Sequence, residues 1–98
     1  MVKHIVMFRL NAEGEKLAQL AGDFKKAIEA LPAKIEALKS VEVGINDGPA
    51  QGNWHIVLTA ICDDYQALDT YSAHPEHLAC VAIIKADVTS RACVDYLE

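Results

Sequence analysis

The sequence is short of positive charge and of cysteine, and both shortages exclude functions. Nine lysines and arginines stand against 14 aspartates and glutamates in 98 residues, which gives a net charge of −5. Such a surface repels phosphate, so neither nucleic acid nor an anionic membrane is expected as a partner. The three cysteines, Cys62, Cys80 and Cys93, are widely spaced and form no CxxC pair. They predict reduced thiols in a cytoplasmic protein.

No segment has the length and apolar character of a membrane span or a signal peptide. The first ten residues, MVKHIVMFRL, are apolar only in alternation and include Lys3 and Arg9. Internal repeats and low-complexity runs are also lacking. Length and a hydrophobic content of 52% predict one domain, 1–98, with a single thin core and a further surface buried between subunits.

Alternating apolar residues predict four strands. These strands span 2–10, 41–45, 54–62 and 88–97. Between the first two, apolar residues recur every three or four positions from Leu17 to Leu31, which predicts a helix. Asn11 is expected to cap that helix and Pro32 to end it, with a short helical piece at 33–39.

Two helices are predicted after the third strand. Asp63 and Asp64 can cap a short helix that carries Leu68 and Tyr71, and Pro75 fits the first turn of the next helix. The resulting order, β-α-β-β-α-β, is the ferredoxin-like plan of the α+β class, with helices on one face of an antiparallel sheet.

The other face of this sheet would be apolar and without a helical cover. Its predicted residues are Ile5, Met7, Val57, Thr59 and Ile61. Another copy of the same sheet is the simplest cover, so these five residues are the expected interface of a homodimer. Arg91 and Asp95, four apart on the same face of the last strand, are interpreted as a structural pair across that interface.

The segment YSAHPEHL raises the question of a functional site. His74 precedes a proline and is expected outside the helix, near the free amides of its first turn. His77 is expected to face inward and to stay neutral, because a helix N-terminus disfavours positive charge. The alternative is a half-buried structural histidine bonded to a backbone carbonyl. The chain has no HExxH motif and no nearby ligand set for these histidines, so neither a metal nor a cofactor is expected.

His4 is a polar residue on an apolar strand face, which by itself is typical of a hydrogen-bonded core histidine. If Tyr71 and His77 lie beside it, three polar groups converge in an apolar pocket for a small apolar or aromatic ligand. One histidine could then move a proton while Tyr71 stabilises an oxyanion. The remaining predicted lining residues are Val6, Phe8, Phe24, Leu58, Ala60, His74 and Val81.

Four segments, VKHIVMFRL, LKSVEVGIN, LDTYSAHPEHLACV and VDYLE, resemble the stress-responsive dimeric A/B-barrel (Dabb) family. The resemblance implies ferredoxin-like subunits whose sheets join into a dimeric α+β barrel. In the cofactor-independent plant polyketide cyclases of this family, two histidines and a tyrosine line a pocket. Those positions match His4, His77 and Tyr71. The cyclases also use a tyrosine from the first helix, where this chain has Phe24 and no tyrosine.

The sequence leaves alternative functions open. One is a stress-responsive homodimer of undefined biochemical activity that binds a small ligand in each subunit. Another is a cofactor-independent acid/base enzyme, similar to a polyketide cyclase or an isomerase, that uses His4, Tyr71 and His77. An oxygen-using or haem-degrading enzyme is supported by fold analogy alone, since no residue marks a haem ligand.

Overall fold

A computed structural model describes residues 1–98 of the chain. The elements are β1 (Val2–Leu10), α1 (Gly14–Glu29), a single 3₁₀ turn (Leu31–Ala33), β2 (Leu38–Ile45), β3 (Ile56–Cys62), α2 (Tyr65–Ala73), α3 (Pro75–Lys85) and β4 (Val88–Leu97). The strands form one antiparallel sheet in the order β2-β3-β1-β4. This arrangement confirms the predicted ferredoxin-like α+β fold. None of the helices is long and apolar enough to cross a membrane.

The core lies between the helices and one face of the sheet. Alternate residues of β1 are buried, because strand side chains point to opposite faces in turn. The apolar stripe of α1, with Ala21, Phe24 and Ile28, packs against them. Phe8 and Phe24 meet edge to face with ring centroids 5.6 Å apart, which fixes α1 over the centre of the sheet.

Several element boundaries differ from those predicted. The helix α1 begins after Glu13, so Glu13 and not Asn11 holds the N-cap position. The Asn11 amide donates to the Asp87 carbonyl at 2.7 Å. The helical piece expected at 33–39 is replaced by the 3₁₀ turn and the start of β2. Trp54 lies before β3, where the Arg9 guanidinium packs 5.1 Å from its ring centroid.

The break between α2 and α3 is built as the sequence predicts. Asp64 caps α2 by accepting a hydrogen bond from the Ala67 amide at 2.8 Å. His74 is extended, at φ −65° and ψ 135°, as expected for a residue before proline. Its Nδ1 accepts a hydrogen bond from the Glu76 amide at 3.1 Å and so caps α3. This junction reorients the chain between Tyr71 and His77.

The second face of the sheet has no helical cover and is called here the open face. It contains the five predicted interface residues together with Ala92, Val94 and Tyr96, which strand pairing places beside Met7, Ile5 and Lys3. Met7 is 39% exposed, Val57 37% and Val94 61%. A contiguous apolar face of this kind is typical of a surface that another chain covers.

Candidate active site

A cavity of about 380 Å³ lies between α2, α3 and the helix-facing side of β1 and β4. This volume is within the range of small-molecule sites, near the lower bound of about 300 Å³. The cavity brings together the three predicted catalytic residues His4, Tyr71 and His77, whose roles remain predictions. Its other predicted lining residues are Val6, Phe8, Phe24, Leu58 and Val81. Ser72, Leu78, Lys85, Val88 and Arg91 complete the wall and were not predicted.

Two predicted lining residues do not reach this cavity. Ala60 lies directly opposite His4 on β3 and is completely buried in the core, but it is not among the residues that line the cavity. His74 is held at the start of α3 by its hydrogen bond to the Glu76 amide. Its expected place near the first-turn amides is therefore correct, and the cavity described here does not include it.

A second depression, of about 450 Å³, lies on the open-face side around Trp54. His55 is the one ionisable residue among those that line it. The Nδ1 of His55 accepts a hydrogen bond from the Leu10 amide at 2.9 Å. This bond gives the His55 ring a structural role. The convergent polar groups expected of a catalytic site are found in the first cavity.

His4 is paired with the carboxylate of Asp95, a residue that was expected to pair with Arg91. In the register of β1 against β4, Asp95 lies directly opposite His4, so both side chains point to the same face. His4 Nδ1 donates a hydrogen bond to Asp95 Oδ1. This bond fixes the tautomer of the ring and leaves Nε2 with its lone pair. Asp95 therefore pairs with His4 within one subunit, which corrects the interpretation that it pairs with Arg91 across a dimer.

His77 is held as a neutral base. Its Nδ1 donates to the Ser72 carbonyl at 2.9 Å, which again leaves Nε2 with a lone pair. Burial lowers the pKa of His77 from its usual value, the bond to Ser72 opposes this, and electrostatic interactions with His4 and Arg91 lower it further. The ring is therefore uncharged near neutral pH.

Tyr71 lies between the two imidazoles. Its ring centroid is 6.5 Å from that of His4 and 4.5 Å from that of His77. The residue is fully buried, and its hydroxyl oxygen has no hydrogen-bond partner. Burial raises the pKa of Tyr71 far above its usual value, with smaller contributions from Cys62 and Cys80, so the phenol keeps its proton. Burying a hydroxyl without a hydrogen-bond partner costs about 1–3 kcal/mol. The Tyr71 hydroxyl is therefore a hydrogen-bond donor that the fold itself does not use.

One group of side chains has the composition of a metal site. The ligand atoms of His4, Cys93 and Asp95 lie within 4.8 Å of one another, and this set suits zinc. Burial first, and then Asp95, raise the pKa of the Cys93 thiol, so at neutral pH the thiol keeps its proton. His74 and His77 do not belong to this group of ligand atoms.

An antiparallel sheet with helices on one side, an apolar open face and a pocket with two imidazoles define a ferredoxin-like α+β domain with a candidate acid/base site. The family model for the stress responsive A/B barrel domain matches residues 2–98. The chain belongs to this family, which confirms the resemblance found in the sequence.

Similar proteins carry the same fold over nearly their whole length. A dimeric ferredoxin-like protein of unknown function from Bacteroides fragilis is 42% identical, with a TM-score of 0.93 over 99% of this chain and 95% of its own. Another from Thermobifida fusca is 30% identical, with a TM-score of 0.81 over 99% of this chain and 90% of its own. An uncharacterized protein of Streptomyces coelicolor is 33% identical over 85% of this chain and 86% of its own.

Proposed function

We propose that this protein is a homodimeric, cofactor-independent enzyme that transfers a proton on a small carbonyl compound, with one pocket in each subunit. The observation that carries the proposal is the convergence of a carboxylate-paired imidazole, a neutral imidazole and an unpaired phenol on one mainly apolar cavity. Perturbed titratable groups gathered in a cavity are typical of acid/base sites.

His4 acts as the proton carrier in this proposal. Its Nε2 takes a proton from the carbon next to the substrate carbonyl, and the Asp95 carboxylate stabilises the imidazolium that forms. Tyr71 donates a hydrogen bond to the carbonyl oxygen as that oxygen gains negative charge. His4 then returns the proton to a carbon or oxygen of the substrate. In an isomerisation the proton returns to a different carbon or to the oxygen. In a ring closure the enolate carbon attacks a second carbonyl carbon of the substrate, and the oxygen of that carbonyl takes the electron pair and then the proton from His4. Neither reaction consumes a cofactor.

His77 remains neutral throughout. Because a positive charge on His4 lowers the pKa of His77, the His77 ring stays uncharged while His4 carries the proton. The free Nε2 of His77 accepts a hydrogen bond from a substrate hydroxyl. His77 therefore positions the reacting groups beside the proton carrier.

Access to Tyr71 requires a small rearrangement. The ring has no exposed surface, whereas Leu78 at the wall of the cavity is 54% exposed. Side-chain rotation is a common response to ligand binding, and a shift of His77 or Leu78 would bring a substrate oxygen to the phenol.

The homodimer is proposed from the open face. Its exposed apolar residues need a cover, and the relatives from Bacteroides fragilis and Thermobifida fusca are both described as dimeric. The catalytic cavity lies on the opposite side of the sheet, so this interface would leave it accessible. The three cysteines are free thiols, which favours a reducing, cytoplasmic location.

A binding protein that uses the same pocket without turnover is the second candidate, because the family is described as stress responsive. Deuterium exchange separates the two functions. The protein is incubated in heavy water with small aromatic ketones such as phenylacetone, and NMR follows exchange at the carbon beside the carbonyl. We expect the native chain to accelerate exchange and His4→Ala and His77→Ala to abolish this acceleration while remaining dimeric.

Saturable ketone binding without accelerated exchange would support the binding protein. Failure of both histidine variants to fold would assign the two rings a structural role and contradict the enzyme proposal.

A further inference from the structure

Two cationic side chains line the same cavity without a carboxylate partner. Lys85 lies in the last turn of α3, and Arg91 lies on β4, so they approach the cavity from different walls. Neither takes part in an ion pair. No aspartate or glutamate lines the cavity, and the nearest carboxylate on the same strand face, Asp95, is bonded to His4.

This local excess of positive charge contrasts with the rest of the chain, whose net charge is −5. The position of Lys85 alone has a structural explanation, because the C-terminal turn of a helix favours a cation. That explanation does not extend to Arg91, which is on a strand and opposite Phe8. Two cations that converge on one cavity are a recognition element for an anion.

We infer that the pocket selects small ligands with an apolar, ring-sized body and a carboxylate, such as an aromatic keto acid. The inference rests on the proposed function, since it names the substrate class of the same site. The body of the ligand lies against Phe8, Phe24 and Leu58, and its carboxylate binds Arg91 and Lys85. A carbonyl between these two ends is then directed toward His4 and Tyr71.

The binding test compares two compounds of the same shape, phenylacetate and phenylacetamide, which differ in charge. Dissociation constants are measured by NMR titration at low ionic strength with the native chain. We expect phenylacetate to bind about tenfold more tightly, as is typical for hydrogen bonds between charged groups. Added salt should reduce this difference, since the two cations are exposed to solvent.

Variants assign the preference to particular residues. Arg91→Gln and Lys85→Gln should each reduce it severalfold, and together they should abolish it. The control is Lys26→Gln, which removes an exposed lysine on α1 that lies outside the cavity and forms no ion pair. It should leave the preference unchanged. Equal affinity for the two compounds, or an equal effect of Lys26→Gln, would overturn the inference.

Turnover distinguishes this inference from the proposed function. If the native chain prefers phenylacetate through Arg91 but accelerates no exchange with phenylpyruvate or phenylacetone, the anion site stands and the enzyme proposal falls. If phenylacetone is turned over while phenylacetate shows no charge-dependent binding, the enzyme proposal stands and the anion site falls.

Discussion

The hydroxyl of Tyr71 can be removed without disturbing the ring that holds it, which makes Tyr71→Phe the most discriminating substitution. The ring is fully buried, and its contacts with His4 and His77 are retained by phenylalanine. The missing oxygen has no hydrogen-bond partner in the native chain. The variant therefore loses no internal hydrogen bond.

The expected effect on stability follows from that lack of a partner. Burying an unpaired hydroxyl costs about 1–3 kcal/mol, although water in the adjoining cavity offsets part of this cost. Tyr71→Phe should accordingly leave the free energy of unfolding unchanged or raise it by about 1 kcal/mol. The expected effect on catalysis is opposite, because loss of one oxyanion donor lowers kcat by about 10²–10³-fold.

The assay pairs two measurements on the same samples. Urea unfolding followed by circular dichroism gives the stability at a fixed protein concentration, and deuterium exchange of the ketone gives the rate. Tyr65→Phe is the matched control, because Tyr65 lies on the same helix and is 46% exposed. It should change neither quantity. A clear loss of stability in Tyr71→Phe with an unchanged rate would refute the reasoning, since it would show a hydroxyl bonded in the interior and remote from substrate.

Four further outcomes are expected. Asp95→Asn should lower kcat at least about tenfold with the fold retained, because the amide cannot stabilise an imidazolium as the carboxylate does, and an unchanged rate would exclude the pair from catalysis. As pH falls below about 6.5, the unfolded chain binds a proton that the half-buried His77 resists in the folded chain, so the free energy of unfolding should decrease. His77→Asn should reduce that loss, whereas His74→Asn, which preserves a helix cap, should retain it in urea titrations. Val57→Asp on the open face should dissociate or unfold the dimer in sedimentation experiments, while Gln66→Asp on exposed α2 should not. Dialysis against a chelator should leave ketone exchange unchanged, and a loss of rate that zinc restores would instead assign catalysis to metal.

Much of the fold could be predicted because its signals are local. Alternation along residues 2–10 and 88–97 separates two faces, and Pro75 marks the start of a helix whatever the chain does elsewhere. Boundaries were predicted less well. The cap at Asn11 was wrong because the helix begins only after Glu13, while the Asn11 amide makes a tertiary hydrogen bond to Asp87. The proximity of Tyr71 and His77 could also be predicted, because both belong to the short segment YSAHPEHL at the start of one helix.

Only the tertiary structure decided what surrounds His4. Asp95 is 91 residues away along the chain, and it faces His4 because of the register in which β4 pairs with β1. A shift of one residue would send Asp95 to the open face and leave the imidazole without its carboxylate. The sequence by itself determined which residues alternate between the two faces of the sheet, where the chain turns between helices and which residues cap the helices. The pairing of strands distant in the chain determined which of those residues meet in the pocket, because register depends on contacts that no local pattern contains.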